Sequence, residues 1–220
     1  MNKKSILSIL LLTGAAAAII IGVVLTKKDK PLRLLPYYGP PQEITNGDTT
    51  FHTVKDFSFI NQFGEKTIQK DFENSIYVTD YFFVTCQSIC PIMSESMQKI
   101  AKQFETNSSI KFLSHTVNPE EDSVSVLLEY ATKHNAKKGN WYFVTGNKKE
   151  LYDMARYSYF LDAEEGDGGP EDFIHTQNFA LVDKEKHIRG YYDGTNPAQM
   201  EQLVKDINLL LKEYKYKENN

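Results

Sequence analysis

The chain has 220 residues, 41% of them hydrophobic and 25% charged, which suits a globular protein with one well-buried domain, and a second full domain is not expected. Its formal net charge of −4, without a Lys/Arg-rich run, excludes a nucleic-acid binder, which needs a basic face to meet phosphates. Two cysteines are too few for a disulfide scaffold, so their purpose is local.

After Met-Asn-Lys-Lys, residues 5–26 carry no charge. At ~1.5 Å rise per residue, a helix of that length spans about 30 Å of hydrocarbon, so residues 1–26 are predicted to form a single transmembrane anchor. Ala16 and Ala18 imitate a cleavage site, but cutting there would leave the apolar run from Ile19 to Leu25 exposed at the new terminus, so the anchor is expected to be uncleaved. Lys3 and Lys4 precede the span, whereas Lys27, Lys28, Lys30 and Arg33 follow it. That count alone places the C-terminal flank inside. The short N-tail and thiol chemistry suited to an oxidising compartment favour the opposite orientation, with the C-terminal domain on the exported side. Residues 27–50, with Pro31, Pro36, Pro40 and Pro41, are predicted to be an extended linker. The folded domain is expected over 51–214, followed by a polar tail at 215–220.

Within the domain, Ile76 to Val84 is aromatic and β-branched throughout, which predicts a central strand buried on both faces. It runs directly into Cys86. Pro91 sits where a first helical turn tolerates proline, and Ile92, Met93, Met97, Ile100, Ala101 and Phe104 form the helical stripe after it. A strand over Ile110 to Val117, a helix over about Ser123 to His134, a strand over Trp141 to Val144 and a helix over about Lys148 to Tyr157 follow. A hairpin from Asn178 to Val182 and Ile188 to Tyr192 precedes a closing helix opened by Pro197. Alternation of this kind predicts an α/β fold with a parallel or mixed sheet, in an order resembling thioredoxin.

Cys86-Gln-Ser-Ile-Cys90 places two sulfurs four residues apart, neighbours on one face if both lie on a helical turn. Such a pair can chelate a metal or close a disulfide. At a helix start, unpaired N–H groups and the macrodipole are expected to acidify a first-turn cysteine. An inert disulfide over so short a loop would contribute only about 2 kcal/mol. Structural zinc takes four Cys or His ligands, so zinc fits poorly, whereas two thiolates with one imidazole suit copper. His52, His115, His134 and His187 each have ordinary structural readings. His175, between the acidic, glycine-rich stretch from Asp162 to Asp172 and a strand, is the remaining candidate, although a lone histidine is commonly a plain surface or core residue. The acidic stretch lacks the spacing of a calcium loop and reads as a solvated flap.

Taken together, Phe82-Phe-Val-Thr-Cys-Gln-Ser-Ile-Cys-Pro91, Thr116-Val-Asn-Pro-Glu-Glu-Asp122, Trp141-Tyr-Phe-Val-Thr-Gly146, Phe173-Ile-His-Thr176 and Gly190-Tyr-Tyr-Asp-Gly194 resemble the Sco/SenC family over roughly residues 52 to 212. The resemblance implies a membrane-tethered thioredoxin-like domain with Cys86, Cys90 and His175 as copper ligands. It implies that copper, as Cu(I) or Cu(II), comes from an upstream donor and goes to the binuclear site of cytochrome c oxidase subunit II. Members of the family act as copper carriers, as thiol-disulfide reductants of the recipient's cysteines, or as both. In the reductant role Cys86 and Cys90 are the redox pair. Many relatives carry Pro after the first cysteine, where this chain has Gln87. The spacing of neither thioredoxin nor peroxiredoxin is present.

Overall fold

A computed structural model of the chain describes residues 34–45, 48–162, 166, 169 and 172–219. The anchor predicted at residues 5–26 lies outside the described residues. Among the described residues, no helix is long and apolar enough to cross a membrane.

The strands are β1 (Gln42–Thr45), β2 (Asp48–Thr50), β3 (Ser58–Asn61), β4 (Lys66–Ile68), β5 (Ile76–Phe82), β6 (Ile110–Thr116), β7 (Trp141–Thr145), β8 (Asn178–Val182) and β9 (Ile188–Asp193). The helices are α1 (Ile89–Gln103), α2 (Val124–Lys133), α3 (Lys148–Tyr157) and α4 (Pro197–Glu218). β1 and β2 pair by themselves, and the other seven strands form one sheet in the order β4-β3-β7-β6-β5-β8-β9. β5, β6 and β7 are parallel, which requires the crossovers that α1 and α2 supply, and the flanking pairs are antiparallel. The predicted α/β architecture is therefore the observed one.

All seven residues of β5 are buried because the strand faces two cores. Ile76, Val78 and Phe82 point to one side, packed by Met93, Met97 and Ile100 of α1, Leu127 and Ala131 of α2, and Leu203, Ile207 and Leu210 of α4. Tyr77 and Tyr81 point to the other, packed by Leu151, Tyr152 and Ala155 of α3 with Val54, Phe57 and Phe59. Period-two alternation along one strand thus divides the interior.

Two features differ from the sequence expectation. β3 and β4 form a hairpin at a sheet edge where no element was predicted, because strands of four and three residues are too short to show a period. The stretch 27–50, expected as an extended linker, is fastened to the domain from Leu34 on. Leu35 is buried in the first core. Its carbonyl and that of Pro36 accept from the Arg189 guanidinium at 2.7 and 3.1 Å, and its N–H donates to Glu213 at 2.7 Å. Arg189 also pairs with Asp183 at 2.9 Å and Glu213 at 3.0 Å. Two carboxylates and two carbonyls thus take four of the five N–H donors of this buried arginine.

Candidate functional site

β5 and β6 end together, with Phe82 opposite Thr116 and the Val117 N–H donating to the Phe82 carbonyl at 2.8 Å. The edge outside the carboxyl ends of parallel strands is where α/β sheets hold ligands. Here the chain turns through Phe83 to Ser88 and enters α1. Cys86 lies in this turn and Cys90 in the first turn of α1. Both are free thiols, 9% and 4% exposed.

The two sulfurs lie within hydrogen-bonding reach and their acidities are driven apart. Burial opposes ionisation of Cys86, but the Cys90 thiol, the N–H groups of Ser88 and Cys90, and the Ser88 hydroxyl all donate toward its sulfur, holding it down to about 7. The Ser88 oxygen is 3.7 Å away. Cys90 is pushed up to about 12 by burial, by the hydrogen bond it gives Cys86, and by the charges of Cys86 and Asp80, against one Phe83 N–H. This corrects the expectation that the first-turn cysteine is the acidic one. Cys90 occupies that turn, but its burial outweighs the helix terminus, and the terminal N–H groups aim at Cys86 instead. The two cysteines also do not share a helical turn, since Cys86 precedes the helix.

Beneath the pair, on the same face of β5, Asp80 is 1% exposed with one carboxyl oxygen unpartnered. Burial raises it to about 7 against hydrogen bonds from Ser114 and the backbone. Tyr130, bonded to the Ser94 hydroxyl at 2.8 Å, is pushed up to about 12 by burial, with added repulsion from Cys90, Asp80 and Cys86. Sequence reasoning missed Ser88, Asp80 and Tyr130. The polar Asp80 inside an aromatic strand was the available signal.

His175 is exposed on the segment between residue 172 and β8. Its ring lies 5.0 Å from that of Phe173, which meets Phe83 edge-on at 5.1 Å. The predicted third ligand is therefore carried by a segment packed on the thiol turn. Among the described residues, however, no group of three His, Cys, Asp or Glu side chains stands close enough to hold a metal ion. Gly194 tethers this segment, donating to the Gln177 carbonyl at 2.8 Å. A Cβ there would lie 2.6 Å from the Phe179 ring. At the other end of the acidic stretch, Arg156 holds Asp162 at 3.2 Å and Asp172 at 2.7 Å, so a buried arginine pins the flanks of what was read as a solvated flap.

The other histidines have structural partners. His52 bonds the Ser158 carbonyl at 2.8 Å and His187 the His52 carbonyl at 2.9 Å. His115 is enclosed by Phe57, Phe59 and Tyr81, and burial lowers it to about 3. His134 leans on Tyr130. A cavity of about 540 Å³ lined by Phe57, Gln69, Phe72 and Lys184 includes neither cysteine. What remains is a pair of soft donors, one of them ionised near neutral pH, able to grip a soft metal or exchange with a disulfide.

The family model described as SCO1/SenC matches residues 45–212 of the chain. The chain is similar to a SCO1 protein homolog of Bacillus subtilis (strain 168), 25% identical over 162 residues, 73% of this chain and 83% of the homolog. Among solved structures, a SCO1/SenC family lipoprotein from Bacillus anthracis str. Ames is 26% identical with a TM-score of 0.63, over 73% of this chain and 95% of that one. BsSco, a member of the Sco family of cytochrome c oxidase assembly proteins in which a disulfide switch was identified, is 25% identical with a TM-score of 0.61, over 72% and 93%. Arabidopsis thaliana ScoI, solved with copper bound, shares the fold at 22% identity and a TM-score of 0.57, over 71% and 98%.

Proposed function

The chain belongs to the SCO1/SenC family, and on that premise we propose that it is a membrane-tethered copper carrier, loading copper on Cys86, Cys90 and His175 and passing it to the binuclear site of cytochrome c oxidase subunit II. The observation that carries this reading is the pair of adjacent free thiols, with Cys86 held down to about 7. A thiolate, not a thiol, binds metal. Two sulfurs suit Cu(I), and an added imidazole helps accommodate Cu(II). His175 lies apart from the sulfurs, on a segment seated against Phe83 through Phe173, and completes the donor set on loading. Delivery then proceeds by stepwise exchange of these ligands for the recipient's cysteines. An anchor at residues 5–26, with the domain on the exported side, would raise the effective concentration of carrier and recipient in one membrane without a tight interface.

The separation of the two thiols supports a second reading, thiol-disulfide reduction of the recipient site. The Cys86 thiolate attacks a target disulfide, forming a mixed disulfide and releasing one target thiolate. Cys90 then gives up its proton and attacks Cys86, releasing the second target sulfur and leaving Cys86–Cys90 oxidised for re-reduction by an external dithiol.

The two separate in a strain lacking the chain. Add-back of His175→Ala leaves oxidase assembly defective under the carrier reading, with partial recovery on copper supplementation. Full assembly by His175→Ala, with reductase activity intact and copper without effect, overturns it in favour of the reductase.

A further inference from the structure

Asp122 closes the turn after β6, its N–H donating to the Asn118 carbonyl at 2.9 Å, and is 1% exposed. A carboxylate buried so deeply needs donors on its oxygens. The Thr116 hydroxyl donates to Oδ2. The Val84 N–H points between the two oxygens, 3.4 Å from Oδ1 and 3.3 Å from Oδ2. Thr116 also accepts from the Asn118 N–H at 2.9 Å. The carboxylate is thus fixed from the end of β6 and reaches across to the loop after β5.

That N–H belongs to the same planar unit as the Phe83 carbonyl, which accepts the Cys86 N–H at 3.3 Å. One residue earlier, the Phe83 N–H faces the Cys90 sulfur. A single rigid plane is therefore gripped by Asp122 at its N–H end and by Cys86 at its C=O end. Burial raises the Asp122 carboxyl against the bonds from Thr116 and Val84, and when ionised it also polarises the unit and strengthens its carbonyl as an acceptor. We propose that Asp122 is a positioning residue for the thiol site, orienting the Phe83–Val84 peptide so that the Cys86 turn closes with its N–H donors facing the Cys86 sulfur. This role rests on the proposed function only for the use made of the thiol pair.

The full reduced chain is alkylated across a range of pH, with modification at Cys86 followed by peptide mapping. Asp122→Ala releases the peptide unit, and the thiolate-to-thiol ratio of Cys86 at fixed pH falls by at least about threefold, half a unit in the midpoint. Asp122→Asn keeps one acceptor oxygen and recovers part of that loss. The other groups facing the pair, Ser88, Cys90, Asp80 and Tyr130, are unaltered in each variant. Tyr191→Phe, which removes the hydrogen bond from Tyr191 to the Tyr159 carbonyl in the other core, leaves the ratio unchanged. Should Asp122→Ala fail to fold by circular dichroism, Thr116→Val, which takes one donor from the carboxylate, is judged on the same threefold criterion. A smaller fall, or an equal fall in Tyr191→Phe, overturns the assignment. Alkylation requires no copper and no oxidase, so its outcome is distinct from success or failure of the carrier reading.

Discussion

Removing the Cys90 thiol tests the electrostatics of the site. Cys90 donates to the Cys86 sulfur and helps hold it down to about 7. A hydrogen bond to an ionised acceptor contributes about 1.5–3 kcal/mol, and ~1.4 kcal/mol is one pKa unit. Cys86 lies at the rim, 9% exposed, so water replaces part of a lost donor and Cys90→Ala is expected to raise the Cys86 midpoint by about one unit. At pH 6 the thiolate population then falls about tenfold. Cys90→Ser preserves both size and a hydroxyl donor and keeps the midpoint near that of the unaltered chain. The assay is the pH dependence of iodoacetamide modification of the reduced full chain, mapped to the Cys86 peptide. A midpoint that is unchanged or lower in Cys90→Ala refutes the assignment of Cys90 as donor.

Arg189→Met leaves Asp183 and Glu213 buried without their cation and is expected to cost about 3–5 kcal/mol in urea unfolding; a loss under about 1 kcal/mol refutes the latch. Asp80 is raised by burial from 3.8 to about 7, so the folded chain keeps a proton that the unfolded chain releases between those values. Stability is therefore lost as pH rises through that window, by about 4 kcal/mol once Asp80 is fully ionised. Asp80→Asn, which cannot ionise, gains stability relative to the unaltered chain between pH 4 and pH 8; a difference independent of pH contradicts the burial argument.

The sequence revealed the elements whose signals are local. β5 was legible as an aromatic, β-branched run, and α1 as a proline-opened stripe beginning beside the cysteines; α3 was placed over the residues it occupies. What escaped depends on distant partners. Arg189 fastens Leu35 across more than 150 residues, so nothing near Leu35 distinguishes it from a linker residue. Which of the two thiols is the acidic one could not be read from the sequence, because helix position follows from spacing, whereas the burial of Cys90 depends on α1 packing against β5. Asp122 was visible as part of a motif, but its hold on Val84 depends on two parallel strands ending side by side. His175 stood out from the other histidines by its place between the acidic stretch and a strand, but its role as a ligand came only from the family resemblance, since an exposed imidazole after a polar loop carries no chemical mark of its own.

An anaerobic copper titration of the reduced full chain, as the unaltered protein and as His175→Ala, followed spectroscopically for both Cu(I) and Cu(II), addresses the three-ligand site directly. One equivalent bound, with the Cu(II)–thiolate absorption lost or weakened in His175→Ala, is the result expected of a carrier that uses Cys86, Cys90 and His175. Failure of the unaltered chain to bind copper while its thiols reduce disulfides, or identical Cu(II) spectra with and without the imidazole, would contradict it.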